Sequence, residues 1–178
     1  MSAQYVIAVV GDDRPGLVEK LASTVAEHGG SWLESRMSIL AGQFSGVALV
    51  QVPDDQAAAL ETRLQGMADD SLHLALARAG GERRPQPHHT VYLELTGQDR
   101  PGIVQEIARV LRDRQINIDD LVTERMSGAM SGGQLFHAVA ELQVPNGIAL
   151  ETLRDNLEAL GNELMVDIHV REIADETD

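Results

Sequence analysis

Gly11-Asp12-Asp13-Arg14-Pro15-Gly16 returns 86 positions later as Gly97-Gln98-Asp99-Arg100-Pro101-Gly102, with five of the six residues identical. An apolar, strand-like run precedes each hexapeptide and an amphipathic run follows it. Further on, Ser35-Arg36-Met37-Ser38 is answered by Glu124-Arg125-Met126-Ser127. Self-similarity at a fixed period identifies the chain as two copies of one domain.

A period of about 86 divides 178 residues into two small domains, each large enough to form its own core. The expected bounds are 1–79 for the first domain, 80–88 for a linker, 89–172 for the second domain and 173–178 for an acidic tail. Aromatic residues make up only 3% of the chain, so Val, Leu, Ile and Ala must pack the cores, with Trp32 as the one large anchor. The chain has no cysteine, which removes disulfides, thiolate metal sites and a cysteine nucleophile. No run is long and apolar enough to span a membrane and the N-terminus lacks a signal-like segment, so a soluble, cytoplasmic protein is expected.

Acidic residues number 28 against 14 basic ones, a net charge of −14. Ten acidic and five basic residues fall before residue 81, so neither half conceals a basic domain. With Lys20 as the sole lysine and arginines scattered, no stripe could neutralise a row of phosphates. Direct nucleic-acid binding is not expected, and any role in gene control should run through a protein partner.

In the first copy, Tyr5 to Val10 reads as a strand, and Leu17, Leu21 and Val25 recur at helical spacing until Gly29-Gly30. Ser31 to Leu40 and Phe44 to Val52 read as two strands, Pro53-Asp54-Asp55 opens a second helix, and Leu72, Leu74 and Leu76 alternate as a last strand. The second copy repeats the order, with Leu153, Leu157 and Leu160 on its second helix and Leu164, Val166, Ile168 and Val170 in its final strand. Residues 127–133 should make its middle hairpin longer and looser. Strand, helix, strand, strand, helix, strand is the α+β ferredoxin-like plan, an antiparallel sheet with both helices on one face.

Between first strand and first helix, Pro15 and Pro101 suit the first helical turn and Asp13 and Asp99 can cap it. Gly11 and Gly97 would permit a sharp exit from the strand, and Gly16 and Gly102 would let a ligand approach the helix N-terminus, whose N–H groups favour a carboxylate. A purely structural turn explains everything here except Arg14 and Arg100. A guanidinium can clamp a carboxylate with two hydrogen bonds, or pair with the neighbouring Asp.

At these residues both copies closely resemble the ACT domain over nearly their full length, in the Asp-Arg-Pro-Gly form of one subset of that family. Two such domains without a catalytic domain resemble the glycine cleavage system transcriptional repressor group. The resemblance implies a regulatory protein that commonly binds an amino acid between paired domains, at the loop before the first helix and the start of the second strand. Carried onto this chain, those positions are Asp13, Arg14, Gly16, Ser31, Trp32 and Leu33, and Asp99, Arg100, Gly102, Asn117, Ile118 and Asp119. Asn117 offers donor and acceptor groups where Ser31 is shorter, which favours the second-copy set. The implied partners are a small amino acid of the glycine or serine class and a protein such as a transcription factor. A ligand-free interaction module, or a stand-alone relative of the regulatory domains of phosphoserine phosphatase or formyltetrahydrofolate deformylase, would carry the same domains.

Nothing in the chain reads as an enzyme. The histidines make no metal pattern, the acidic pairs fall at turns or edges, and no nucleotide-binding glycine fingerprint or other cofactor signature is present. Val6 to Val10 and Val47 to Val50 are apolar without alternation, so the second face of the first sheet should be covered, by the other copy or by another chain. In the second copy Tyr92, Glu94 and Thr96 interleave with Val91, Leu93 and Leu95, so that face can meet water. A homodimer is expected.

Overall fold

The fold was analysed in a computed structural model that describes residues 1–80, 88–127, 133–164 and 166–172. The chain divides into two compact units, residues 1–82 and 83–178. The first holds β1 (Ser2–Asp12), α1 (Leu17–Glu27), β2 (Ser31–Leu40), β3 (Gln43–Pro53), α2 (Asp54–Gln65) and β4 (Leu72–Ala79). The second repeats the order with β5 (His88–Gln98), α3 (Ile103–Asp113), β6 (Asn117–Ser127), β7 (Gln134–Pro145), α4 (Leu150–Leu164) and β8 (Val166–Glu172). Most of the expected linker, the centre of the second hairpin and the acidic tail lie outside the described residues.

Each unit forms a four-stranded antiparallel sheet, ordered β2-β3-β1-β4 and β6-β7-β5-β8. This is the ferredoxin-like arrangement, two βαβ halves interleaved so that the first and third strands lie at the centre. Strand alternation decides which face is inside. Tyr5, Ile7 and Val9 of β1 point inward with Val50 and Val52 of β3, and Leu21, Leu60 and Leu64 of the two helices close over them. Leu93, Leu95, Leu142, Leu111, Leu153 and Leu157 do the same in the second unit. Trp32 packs half-buried against the first core.

The repeated glycines have different work from that expected of them. β1 and β5 do not end at Gly11 and Gly97 but continue in register with both neighbours through these positions. A Cβ on Gly11 would sit 2.5 Å from the Ser71 carbonyl oxygen, and one on Gly97 would sit 2.2 Å from Val166 Cγ1. Glycine is needed there because the start of the last strand lies tightly against the end of the first. Gly16 and Gly102 adopt φ of 88° and 92°, in the left-handed region that other residues enter at a cost, and they are themselves the helix N-caps. Neither helix start has a side-chain cap, so Asp13 and Asp99 do not cap, and Pro15 and Pro101 lie in the turn before the helix.

Two further readings are corrected. Leu164 closes α4 instead of opening the last strand. The Arg-Met-Ser match is out of structural register: Met37 lies opposite Gly46, whereas Met126 lies opposite Leu135. Since Phe44 and Phe136 hold equivalent places beside Gly11 and Gly97, the counterpart of Arg125 is Ile39, which pairs with Phe44.

Gly97→Ala should lower stability by about 1–3 kcal/mol through overpacking, and Gly16→Ala by about 1 kcal/mol or more through its left-handed backbone. Gly147→Ala, at an exposed site with open space around its Cβ, should be near neutral. Thermal and urea unfolding of the three variants against the parent chain checks the ranking.

Candidate functional site

Each hexapeptide loop is held against its own middle hairpin. The Asp13 N–H donates to the Gly42 carbonyl at 3.3 Å, and the Asp99 N–H donates to the Gln134 carbonyl at 2.9 Å. In the first unit the Asp12 N–H also donates to the Ser71 carbonyl, and the Gln43 side chain donates to the Asp12 carboxylate at 3.0 Å. In the second, Arg125 of β6 reaches Asp99 with its Nε 2.7 Å from the carboxylate. The loops are thus similarly placed but differently charged.

Arg14 and Arg100 hold equivalent positions and find unlike partners. Arg100 donates two hydrogen bonds, of 3.1 and 2.6 Å, to both carboxylate oxygens of Glu106, one turn into α3. This fork holds the Glu106 carboxyl below its ordinary value of 4.5. At the position equivalent to Glu106 the first unit carries Lys20, so its helix offers Arg14 no carboxylate there. Arg14 instead faces Asp69, before β4, at 3.9 Å, with both side chains about half exposed. Asp69 is itself occupied, its Oδ1 accepting from the Ser71 hydroxyl and N–H at 2.7 and 2.8 Å, which lowers its pKa. Of the two arginines, the structure leaves Arg14 the looser ion pair.

The second group of expected residues begins the second strand of each unit. Ser31 is exposed and paired with Gln51, Trp32 turns inward, and Leu33 stands out of the ladder in a β-bulge, half exposed. The bulge recurs at Asp119, beside an exposed Asn117 and a half-buried Ile118. The Asn117 side chain donates to Asp119 Oδ1 at 2.7 Å, and Gln143 donates to the other oxygen of Asp119. A bulge re-aims side chains at a strand's end, and here it gathers the polar groups of Asn117, Asp119 and Gln143.

The two groups do not meet within a domain. Ser31 is level with Gln51 and Gln4, whereas the loop follows Asp12, eight residues further along β1. At 3.4 Å per residue that is about 27 Å along the sheet. The same count separates Asn117, level with Gln143 and Thr90, from Gln98 at the loop. Neither domain by itself therefore brings its loop and its strand start to one small ligand.

Family comparison follows the duplication, with the ACT domain matching residues 3–74 and again residues 91–158. The chain belongs to the ACT-domain family. It is 23% identical over 168 residues to the glycine cleavage system transcriptional repressor of Escherichia coli (strain K12), an alignment covering 92% of this chain and 88% of that protein. Among solved structures, a protein of unknown role from Galdieria sulphuraria superposes with a TM-score of 0.81 at 26% identity, covering 98% of this chain and all of that one. A candidate glycine cleavage system transcriptional repressor superposes at 0.74 and 22% identity, covering 98% and 99%. As a pair of ACT domains, the chain shares its plan with regulatory proteins over nearly its whole length.

One cluster escaped the sequence reading. His137 of β7 has Nε2 3.3 Å from Glu94 and Nδ1 3.3 Å from Glu124, on the outer face of the second sheet. Its place opposite Thr96 and Glu124 follows from strand register, which a single sequence does not give. Among the described residues no group of three or more His, Asp or Glu side chains is arranged to hold a metal ion, and no helix is long and apolar enough to cross a membrane.

The depressed Glu106 and Asp69 values set the sign of a pH dependence. A carboxyl whose folded pKa lies below its unfolded one stabilises fully above the unfolded value and loses that contribution as pH falls through the folded one. Below about pH 4.5 the parent protein's melting temperature should therefore fall more steeply than that of Glu106→Gln, a comparison that scanning calorimetry makes directly.

Proposed function

We propose that this ACT-domain chain is a non-catalytic regulator that responds to a small amino acid and passes its state to a protein partner such as a transcription factor, without binding DNA itself. The observation that carries the reading is the tandem ACT architecture, matched across 92% of the chain by a protein named as a transcriptional repressor. The net charge of −14 and the scattered arginines support the indirect route, because contact with a phosphate backbone needs clustered cations.

The ligand carboxylate is assigned to the first-unit loop, at Arg14 and the helix start behind Gly16. It would there compete only with a 3.9 Å contact to Asp69, whereas at Arg100 it would have to displace a two-pronged pair with Glu106. Lys20 adds positive charge where the second unit has Glu106. The ammonium end would face the start of the second strand of another ACT domain, either Ser31, Trp32 and Leu33 or Asn117, Ile118 and Asp119. Asp99 and Gly102 then serve the second loop's own structure.

A ligand of glycine size has about five heavy atoms, and at roughly −1.5 kcal/mol per atom it cannot exceed about −7.5 kcal/mol. Affinity is thus micromolar at best, as suits a metabolite sensor. A second reading, a ligand-free interaction module, is favoured by the way Arg100 and Asn117 already use their polar groups locally. Calorimetry with glycine, serine and a wider amino-acid panel should show binding that Arg14→Ala weakens about tenfold, the loss of one charge-assisted contact, while Arg100→Ala mainly lowers thermal stability. No heat with any amino acid at millimolar concentration would favour the module. Affinity capture from cell extract, with and without the amino acid that binds, tests the partner.

A further inference from the structure

The outer faces of the two sheets differ in chemistry. On the second, Glu94, His137, Glu124, Asp120 and Glu141 break up the apolar Tyr92, Val122 and Val139. On the first, Val6 and Ala8 of β1 stand beside Leu49 and Val47 of β3 and Ala77 and Ala75 of β4, forming two continuous apolar rows. Val10 extends the patch, and it and Val47 remain 47% and 45% exposed. Glu34 and Arg36, at the β2 ends of those rows, are the only charged side chains among them and offset one another.

We infer that this face is where two copies of the chain associate, sheet against sheet, about a two-fold axis running across the strands between the Val6 row and the Ala8 row. The argument rests on self-complementarity. In such a pairing each residue meets its mirror row on the partner. Val6 then lies over Ala8, Leu49 over Val47 and Ala77 over Ala75, so branched side chains fall on smaller or equal ones. The same operation sets Glu34 of each copy against Arg36 of the other, making two ion pairs at one rim. No other axis in the plane of the interface pairs these two charges while keeping the apolar rows together.

The charge of the chain favours the same occupant. Two molecules of −14 repel least where their surfaces are locally neutral, and the two rows carry one acid and one base, with Asp12 two rungs beyond the Ala8 row. Flat apolar sheets stack about 10 Å apart with strands within about 30° of alignment. Four strands at about 4.8 Å spacing give a face roughly 19 Å wide, which places the interface at the small end of specific ones.

Sedimentation velocity of the whole protein across the micromolar range is the test. The parent chain should pass from monomer to dimer. Val47→Glu, at an exposed position, should weaken the dimer about tenfold or more by burying a charge against the partner's Leu49. Val122→Glu, on the outer face of the second sheet and 61% exposed, should leave it unchanged. Should Val47→Glu fail to fold, the rim decides: Glu34→Arg and Arg36→Glu should each weaken association, and their combination should restore it. A parent chain that stays monomeric, with its face left for a different partner, overturns the inference. So does a dimer indifferent to Val47→Glu, or to the single charge reversals without recovery in the pair.

Discussion

The close approach of each domain's last strand to the end of its first is the contact on which the rest of the architecture turns. β4 enters the sheet beside Gly11 and β8 beside Gly97, at separations where no side chain fits. That pairing makes β1 and β5 central strands, hydrogen-bonded on both sides. In the first unit it also delivers Ser71 to the loop, where its carbonyl accepts from the Asp12 N–H and its own N–H and hydroxyl hold Asp69 in place before Arg14. The hexapeptide's first glycine therefore admits, close beside it, the segment that surrounds its arginine.

From that common frame the two domains have parted in charge while keeping their cores. Buried positions repeat with modest exchange, Val50 and Val52 in the first unit for Leu142 and Val144 in the second. Outward positions diverge more, with Leu49 answered by Glu141, Ala8 by Glu94 and Arg36 by Val122, although Val47 and Val139 match. Burial constrains volume and polarity at once, whereas a sheet's solvent face is free to become either an acidic surface or an apolar one.

Much of the architecture was legible because it is written in periodicities: helical spacing through Leu17, Leu21 and Val25, alternation along β5, and the repeat itself. The non-alternating Val6 to Val10 run also foretold an apolar outer face. What misled were local rules at a turn with more than one solution. An Asp before a Pro reads as a cap, yet Gly16 in the left-handed region ends that possibility by becoming the cap residue itself. The Arg-Met-Ser match reads as part of the repeat, but register is set by hydrogen bonding to the neighbouring strand, and Arg125 aligns with Ile39. The separation between loop and strand start was likewise invisible, since it depends on β2 running parallel to β1 two strands away.

The two candidate loops differ for a reason that the hexapeptide does not contain. Asn117 favoured the second copy while Arg14 and Arg100 were treated as equal, and the difference lies six residues beyond each arginine, at Lys20 and Glu106. One helical turn brings Glu106 back over the loop, so α3 satisfies its own arginine. With Lys20 in that place, α1 adds a positive charge instead. The bidentate pair ties the second loop to its own helix, whereas the Arg14 guanidinium faces an already occupied aspartate across 3.9 Å. Duplication has thus left one loop forked to its own helix and the other with a looser ion pair.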